Sequence, residues 1–299
     1  MKWQGRRQSS NIDDRRGKGG PKMGAGGFNP MLLGPLLKIL FSKVGLVIIG
    51  LFLAVSFLTG NNPLSLLSNL LGGGGMGIAT QSNYAPTAEE EELAEFSATI
   101  LADTEDVWNR LLQDYREPTL VLFTGSVSSA CGSASSATGP FYCPADEKLY
   151  IDLSFFEDME TKLRAGGDFA YAYVIAHEVG HHLQKIMGIT DKVHNLRGKV
   201  SEKEYNLNSV RLELQADFLA GVWAHHSQKI SGMMEEGDLE EALNAANAIG
   251  DDRLQKQATG QVVPDSFTHG TSAQRMKWFK KGFETGDLAQ GDTFSARDL

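Results

Sequence analysis

The sequence predicts a predominantly helical α+β domain with a small sheet, preceded by one transmembrane helix. Apolar residues recur at helical intervals over most of the chain after residue 87, and only two short runs have the composition of strands. One uncharged apolar run lies near the N-terminus. A chain of 299 residues can bury one sizeable core, so we expect a single domain with appendages.

The positive charge is concentrated at the N-terminus. Residues 1–43 carry nine Lys or Arg against two Asp, a net charge of about +7, whereas the remainder carries about −16. A basic segment next to an apolar run is typical of a cytoplasmic flank. We therefore expect residues 1–43 to form a basic, disordered cytoplasmic tail. The acidic remainder argues against nucleic-acid binding, which needs a basic face.

The apolar run covers residues 44–60, seventeen residues without a charge. It is short for a spanning helix, but adding Ile39, Leu40 and Phe41 lengthens it to about twenty residues if Lys43 extends toward the interface. A cleaved secretory signal is the alternative, and the missing Ala-x-Ala site disfavours it. The run predicts a signal anchor in a single-pass inner-membrane protein, with everything after residue 60 outside the cytoplasm, which in a Gram-negative cell means the periplasm. Residues 61–86 then form a Gly-rich linker, and residues 87–299 form the domain.

Helices are predicted wherever the periodicity is helical and a capping pattern precedes it. Thr87 and Glu90 have the spacing of a capping box, and helical periodicity continues to Tyr115 as one helix or as two joined near Asp103. Four more helices are predicted at residues 168–186, 201–226, 239–249 and 272–283. The two strand candidates, residues 119–123 and 148–153, could pair as a hairpin. The second strand is a candidate edge for pairing with an extended peptide.

The chain has two cysteines, Cys131 and Cys143, both on the translocated side of the predicted anchor. They flank a short loop rich in Ser, Gly and Ala, and an oxidising compartment would permit a disulfide between them. Two unrelated buried thiols and metal ligation are the alternatives. The absence of Cys-x-x-Cys spacing favours the disulfide.

The segment His177-Glu178-Val179-Gly180-His181 is a candidate metal site. On a helix, residues four apart share a face, so the two imidazoles can bind one metal ion. Glu178 then lies beside the metal and can act as a general base toward a bound water. By itself this pattern is short enough to arise by chance.

A second pattern follows at Glu213 and Asp217, again four residues apart on a predicted helix. Two histidines and one carboxylate make up the three protein ligands of a catalytic zinc site, so Glu213 is the candidate third ligand. Asp217 is a candidate partner for the ring nitrogen of a zinc histidine. The alternative is a solvated acidic stripe, which the apolar residues around both carboxylates disfavour.

The motifs together resemble the bacterial family of putative neutral zinc metallopeptidases, a group similar to the gluzincins. The likeness covers nearly the whole chain, and the segments that carry it are residues 139–144, 167–170, 176–182, 213–217 and 267–270. The resemblance implies a zincin-like fold, peptide hydrolysis and one zinc ion per chain. It also implies His177, His181 and Glu213 as ligands and Glu178 as the base.

A late segment, from Thr268 to Arg275, is similar to a His-Pro-x-x-x-x-Arg segment of membrane-associated gluzincins, with Gly270 in place of the proline. His269 or Arg275 could stabilise the negative oxygen of a tetrahedral intermediate. The alternative is a helix start in which Thr271 or Ser272 is the N-cap and Arg275 packs inside the fold.

The sequence thus predicts a membrane-anchored zinc metalloendopeptidase that acts on peptides or proteins. Two alternatives remain: a zinc-stabilised binding or chaperone-like membrane protein without turnover, and a zinc hydrolase of non-peptide amides. A structural zinc site has no need of Glu178, which disfavours the first alternative. The sequence leaves the oligomeric state open.

Overall fold

A computed structural model describes residues 1–18 and 84–299. Of these, residues 1–18 and 85–299 belong to one compact unit. The predicted anchor at 44–60 and nearly all of the predicted linker at 61–86 lie outside the described residues. Within 1–18 and 84–299, no helix is both long enough and apolar enough to cross a membrane.

The described part of the chain is α+β and mostly helical. Its strands are β1 (Ile12–Asp14), β2 (Thr119–Phe123), β3 (Ser126–Ser129), β4 (Gly132–Ser135), β5 (Phe141–Cys143) and β6 (Lys148–Asp152). Its helices are α1 (Ala88–Leu111), α2 (Ser154–Thr161), α3 (Asp168–Ile186), α4 (Ile189–His194), α5 (Glu202–Ser231), α6 (Asp238–Ala248), α7 (Asp251–Thr259) and α8 (Ser272–Thr285). Short 3₁₀ turns lie at Ser136–Thr138, Pro264–Ser266 and Leu288–Gln290.

The first long helix, α1, is continuous and begins where the capping pattern predicts. Thr87 is its N-cap, and the reciprocal hydrogen bonds between Thr87 and Glu90 are both present. The helix does not break near Asp103. The carboxylate of Asp103 is buried inside the fold, where it accepts a hydrogen bond of 2.8 Å from the indole nitrogen of Trp223 on α5.

The main sheet has four strands in the order β1-β2-β6-β5. The predicted hairpin between the two strand candidates is wrong, because β2 and β6 are parallel neighbours. The connection between them is long enough to contain the separate hairpin β3–β4 and strand β5, which pairs antiparallel with β6. The sheet edge on this side is therefore β5, and β6, the predicted edge strand, lies inside the sheet.

The predicted disulfide between Cys131 and Cys143 is present, with the Cα atoms 5.8 Å apart. Cys131 lies in the turn between β3 and β4, and Cys143 is the last residue of β5. The bond therefore ties the small hairpin to the edge strand of the main sheet.

The prediction of a disordered N-terminal tail is wrong for residues 1–18. Strand β1 pairs in parallel with β2, with Ile12 opposite Leu120 and Asp14 opposite Leu122. The pairing gives the sheet its second edge. The segment is ordered because it makes specific hydrogen bonds to the domain, and its basic composition gives no sign of them.

Candidate metal centre and active-site cleft

Helix α3 supplies both histidines of the candidate site. His177 and His181 are one turn apart and face the same side of the helix. Most of α3 is buried, including Val174, Ile175 and Val179, so the core fixes the rotation of the helix about its axis. The histidine face consequently points into one cleft.

The third predicted ligand comes from α5. The carboxylate oxygens of Glu213 lie 3.3 Å from Nε2 of His177 and 3.4 Å from Nε2 of His181. Candidate ligand atoms from the three residues all lie within 4.8 Å of one another. The structure thus brings together the three residues that the sequence predicts as ligands.

Gly180 allows α3 and α5 to approach this closely. A Cβ atom at Gly180 would lie 3.0 Å from the carbonyl oxygen and 3.1 Å from the Cα of Ala216 on α5. Contacts of this length are tighter than most, so α5 would have to shift by a few tenths of an ångström to accept a methyl group at this position. The glycine inside the His-Glu-Val-Gly-His segment therefore favours the close crossing that brings Glu213 near the two imidazoles.

The hydrogen bonds on the far side of each imidazole leave its Nε2 free for a metal. Nδ1 of His177 lies 2.8 Å from Oδ1 of Asp217, and Nδ1 of His181 lies 2.9 Å from Oε1 of Gln184. The Gln184 amide nitrogen donates to the carbonyl of Leu212 at 2.6 Å, so Oε1 is the acceptor toward His181. Both Nδ1 atoms therefore carry a hydrogen, and the Nε2 atoms are the ones directed toward Glu213.

This donor set fits zinc. Two imidazole nitrogens and one carboxylate oxygen are the three-ligand set of many catalytic zinc sites, in which a water takes the fourth position. The outer hydrogen bonds that such histidines need are also in place.

Asp217 lies at the centre of a buried hydrogen-bond network. Besides His177, its carboxylate accepts hydrogen bonds from the Tyr173 hydroxyl at 2.5 Å and from the Arg275 guanidinium at 2.8 and 2.9 Å. Burial raises the pKa of Asp217, but Arg275 and His177 outweigh it and lower that pKa to about 2. The ionised carboxylate and the buried guanidinium thus compensate each other. Arg275 lies in this network, next to His177, and is 2% exposed.

His269 lines the same cleft from the loop before α8, and Asp251 holds that loop. Oδ2 of Asp251 accepts the backbone N–H groups of Thr268, His269 and Gly270 at 2.7, 2.6 and 3.2 Å. Oδ1 lies 3.2 Å from Nδ1 of His269, which leaves the Nε2 edge of the ring free of this contact. The hydrogen bond to Asp251 raises the pKa of His269. The loop is therefore held by a carboxylate at the start of α7.

A cleft of about 420 Å³ is lined by the three candidate ligands, His269 and Arg275. Glu178, 8% exposed, lines it beside the candidate ligands. One wall is the turn at Gly139 and the edge strand β5. The buried His182 ties that wall to α3, since its Nε2 donates to the Arg116 carbonyl at 2.6 Å and its Nδ1 lies 3.1 Å from the Tyr142 hydroxyl. The edge strand is therefore held at a set position relative to the histidines.

Asp168, Asp238 and Glu241 form a second acidic cluster in the described residues. Other groups of the protein are the partners of these carboxylates. The α-amino group of Met1 lies 2.7 Å from Asp168 and 3.5 Å from Asp238. Glu241 accepts the backbone N–H of Phe169 at 3.0 Å. These contacts satisfy the carboxylates with hydrogen-bond donors of the protein itself.

Three residues of the site are absent from the sequence-based prediction. Tyr173 lies four residues before His177 and Gln184 three after His181, so helical spacing on α3 could have indicated both. Asp251 has no comparable signal, because it lies 18 residues before His269, on helix α7, whereas His269 lies in the loop before α8. Only the folded chain joins those two residues.

The chain is similar to one protein family and to individual bacterial proteins. The family model described as putative neutral zinc metallopeptidase matches residues 1–294. The uncharacterized protein YpfJ of Escherichia coli K12 is 50% identical over 306 residues, covering 98% of this chain and 99% of the relative. The uncharacterized protein Rv2575 of Mycobacterium tuberculosis H37Rv is 45% identical over 203 residues, covering 64% of this chain and 68% of the relative.

No solved structure matches the chain significantly. The family model nonetheless spans nearly the full length, and it includes every residue of the site described above. The chain therefore belongs to the family of putative neutral zinc metallopeptidases.

Proposed function

We propose that this protein is a zinc endopeptidase that binds one zinc ion per chain through His177, His181 and Glu213. The observation that carries the proposal is the convergence of both Nε2 atoms on Glu213 in a cleft that also contains Glu178. Structural zinc sites are closed by four protein ligands, whereas this cluster of the described residues offers three. A carboxylate beside such a centre is the group that hydrolysis requires.

Zinc, when bound, supplies a Lewis acid that lowers the pKa of water to about 7 and polarises a carbonyl group. Glu178 takes the proton from the attacking water as the water oxygen bonds to the peptide carbonyl carbon. The same carboxyl group then passes that proton to the leaving amine as the C–N bond breaks. Asp217 and Gln184 hold the two imidazoles in the orientation that keeps their Nε2 atoms directed at the ion.

His269 is suited to stabilise the oxygen that becomes negative. It lines the cleft, and a charged imidazole can donate from Nε2 while Asp251 accepts from Nδ1. Arg275 does not contact the substrate in this proposal and instead holds Asp217 in place. Its guanidinium is committed to Asp217 and Tyr173 inside the core.

The cleft favours an extended peptide with an apolar side chain near the scissile bond. β5 is an edge strand of the main sheet, and an edge strand can pair with an extended segment through backbone hydrogen bonds. The cleft is also lined by apolar groups that include Phe155, Val174 and Leu254. Internal peptide segments in extended form are the substrates that this arrangement suits.

The proposed location of the domain is outside the cytoplasm, attached to the membrane through residues 44–60. The disulfide between Cys131 and Cys143 supports an oxidising compartment, because such bonds are rare where thiols are kept reduced. The uncharged apolar run at 44–60 supports attachment.

The test uses the full chain, purified in detergent and incubated with a mixed peptide library whose cleavage is followed by mass spectrometry. We expect the zinc-loaded protein to cleave peptides and a chelator to abolish cleavage. Glu178→Gln should retain one zinc per chain and lose about 10²–10⁴-fold in rate. His177→Ala is the matched control, and it should lose the zinc as well as the activity.

Three results would contradict the proposal. Full activity in Glu178→Gln would exclude this residue as the base. Zinc-loaded protein that binds peptides without cleaving them would favour the zinc-stabilised binding or chaperone-like alternative. Cleavage confined to small non-peptide amides in a parallel assay would identify a different class of hydrolase.

A further inference from the structure

Residues 1–18, here called the N-terminal segment, are built into the sheet of the peptidase domain. Backbone hydrogen bonds join the segment to β2 at both ends of β1: Leu120 donates to the Asn11 carbonyl at 2.8 Å, and Arg15 donates to the Leu122 carbonyl at 2.8 Å. Ser9 donates to the Ala98 carbonyl on α1 at 3.0 Å. The segment therefore contacts a strand and a helix of the domain.

A buried carboxylate of the domain depends on the N-terminal segment. The side chain of Glu105 on α1 is 2% exposed. It accepts hydrogen bonds from Arg7 at 3.0 Å, from the Ser9 hydroxyl at 2.5 Å and from the Asn11 amide at 2.9 Å. Burying a carboxylate is costly unless it is paired. The surface around Glu105 is thus constructed to receive this segment.

The positive charge of the segment is also used within the fold. Arg7 pairs with Glu105 and Asp106, and Arg15 pairs with Asp13. The Arg16 side chain is 6% exposed and pairs with carboxylates of Asp14 and Glu91. These arginines are part of the charge that predicts a cytoplasmic tail by the positive-inside rule. Their ion pairs give that charge a folding role instead.

We propose that the N-terminal segment lies on the same side of the membrane as residues 84–299, as the edge strand of the peptidase domain. A single crossing between residues 18 and 84 would put β1 and β2 on opposite sides and break every contact described above. A topology with one crossing is therefore incompatible with these contacts. The proposal therefore replaces the predicted topology, in which the chain crosses the membrane once and its N-terminus is cytoplasmic. It holds whether or not the domain is catalytic.

The test labels added cysteines in the full chain, produced in a Gram-negative host. Ser10→Cys reports the N-terminal segment and Lys199→Cys reports the domain, since both positions are exposed. Cys131 and Cys143 are joined to each other and do not compete for the reagent. A membrane-impermeant maleimide is added to spheroplasts before and after lysis. We expect the two variants to show the same labelled fraction, within about twofold, in both conditions.

Each outcome decides the proposal. Labelling of Lys199→Cys before lysis, with Ser10→Cys protected until lysis, would overturn it. Protection of both until lysis would support a shared side while contradicting the location proposed above for the domain. That result would leave the zinc chemistry untouched, so the two proposals fail separately.

A second measurement tests the contact itself. Ile12 and Leu120 are register partners on neighbouring strands, a separation that suits a disulfide. In Ile12→Cys/Leu120→Cys we expect mass spectrometry without reductant to detect the two peptides joined, and neither single variant to give this product. Joining within one chain or between two copies would equally place both strands on one side. Absence of the joined peptides from folded, zinc-binding protein would count against the proposal.

Discussion

Nδ1 of His177 donates to Oδ1 of Asp217 over 2.8 Å, and the same carboxylate is held from behind by Arg275. The metal centre is therefore connected to the core through one ionised side chain. Asp217 both directs the imidazole and balances a buried guanidinium, so a change at this position should affect zinc affinity and stability together.

Asp217→Asn should weaken zinc binding by about 10–100-fold, because the amide is a poorer acceptor for His177. It should also destabilise the fold by about 3–5 kcal/mol, since Arg275 is left as an unpaired buried charge. Chelator competition and denaturant unfolding measure the two effects. Asp217→Asn/Arg275→Met should recover stability without recovering zinc affinity. Wild-type zinc affinity in the single variant would show that the contact does not orient the ligand.

Gly180→Ala should destabilise the protein by about 1–3 kcal/mol and weaken zinc binding, because the added methyl group pushes α5 away from α3. The sign of the change is informative. Where space is available, alanine stabilises a helix by up to about 1 kcal/mol relative to glycine. Thermal unfolding with and without zinc gives the answer, and an increased Tm would contradict the close crossing at Ala216.

Asp251→Asn should shift the pH dependence of catalysis. The pKa of His269 is raised by its hydrogen bond to Asp251, so the imidazole stays charged to higher pH. A group that acts when protonated loses its effect as the pH rises through its pKa. Removing the carboxylate charge lowers that pKa, and the alkaline limb of kcat/KM should move to lower pH.

The control for this shift is His269→Gln, in which a limb belonging to His269 should disappear and kcat should fall by about 10²–10³-fold. Zinc content should stay at the wild-type level in both variants. An alkaline limb at the same pH in wild type and Asp251→Asn would separate Asp251 from the titration of His269.

Leu254→Ala should lower kcat/KM for peptides with large apolar side chains by about fivefold, for a loss of about 1 kcal/mol of apolar contact. Cleavage of peptides with small side chains should change less. Leu254 is 37% exposed and lines the cleft. Leu207 is 46% exposed and lines another surface pocket, so Leu207→Ala is the matched control. Equal effects of the two substitutions would argue against an apolar subsite.

Glu105→Ala should destabilise the protein by about 1–3 kcal/mol, because the donors of Ser9, Asn11 and Arg7 lose their common acceptor. Asp106 is the other carboxylate partner of Arg7, and its side chain is 53% exposed. Asp106→Ala should therefore change stability by less than about 1 kcal/mol. Denaturant unfolding of the full chain compares them. Similar losses in both variants would mean that burial of Glu105 is not what distinguishes it.

The sequence by itself determined the features that rest on local spacing. Residues four apart on a helix share a face, so His177 with His181 and Glu213 with Asp217 could be recognised as two half-sites. The capping pattern at Thr87 located the start of α1, and two cysteines flanking a short loop indicated the disulfide.

Only the tertiary structure decided the relationships between distant segments. Strand direction depends on how the chain returns to the sheet, and the parallel pairing of β2 with β6 leaves no mark on the pattern of either strand. Asp251 and His269 meet because α7 packs against the loop before α8. The N-terminal segment depends on a distant contact in the same way: its arginines have the composition of a solvated tail, whereas Arg7 pairs with the buried Glu105, about a hundred residues later in the chain.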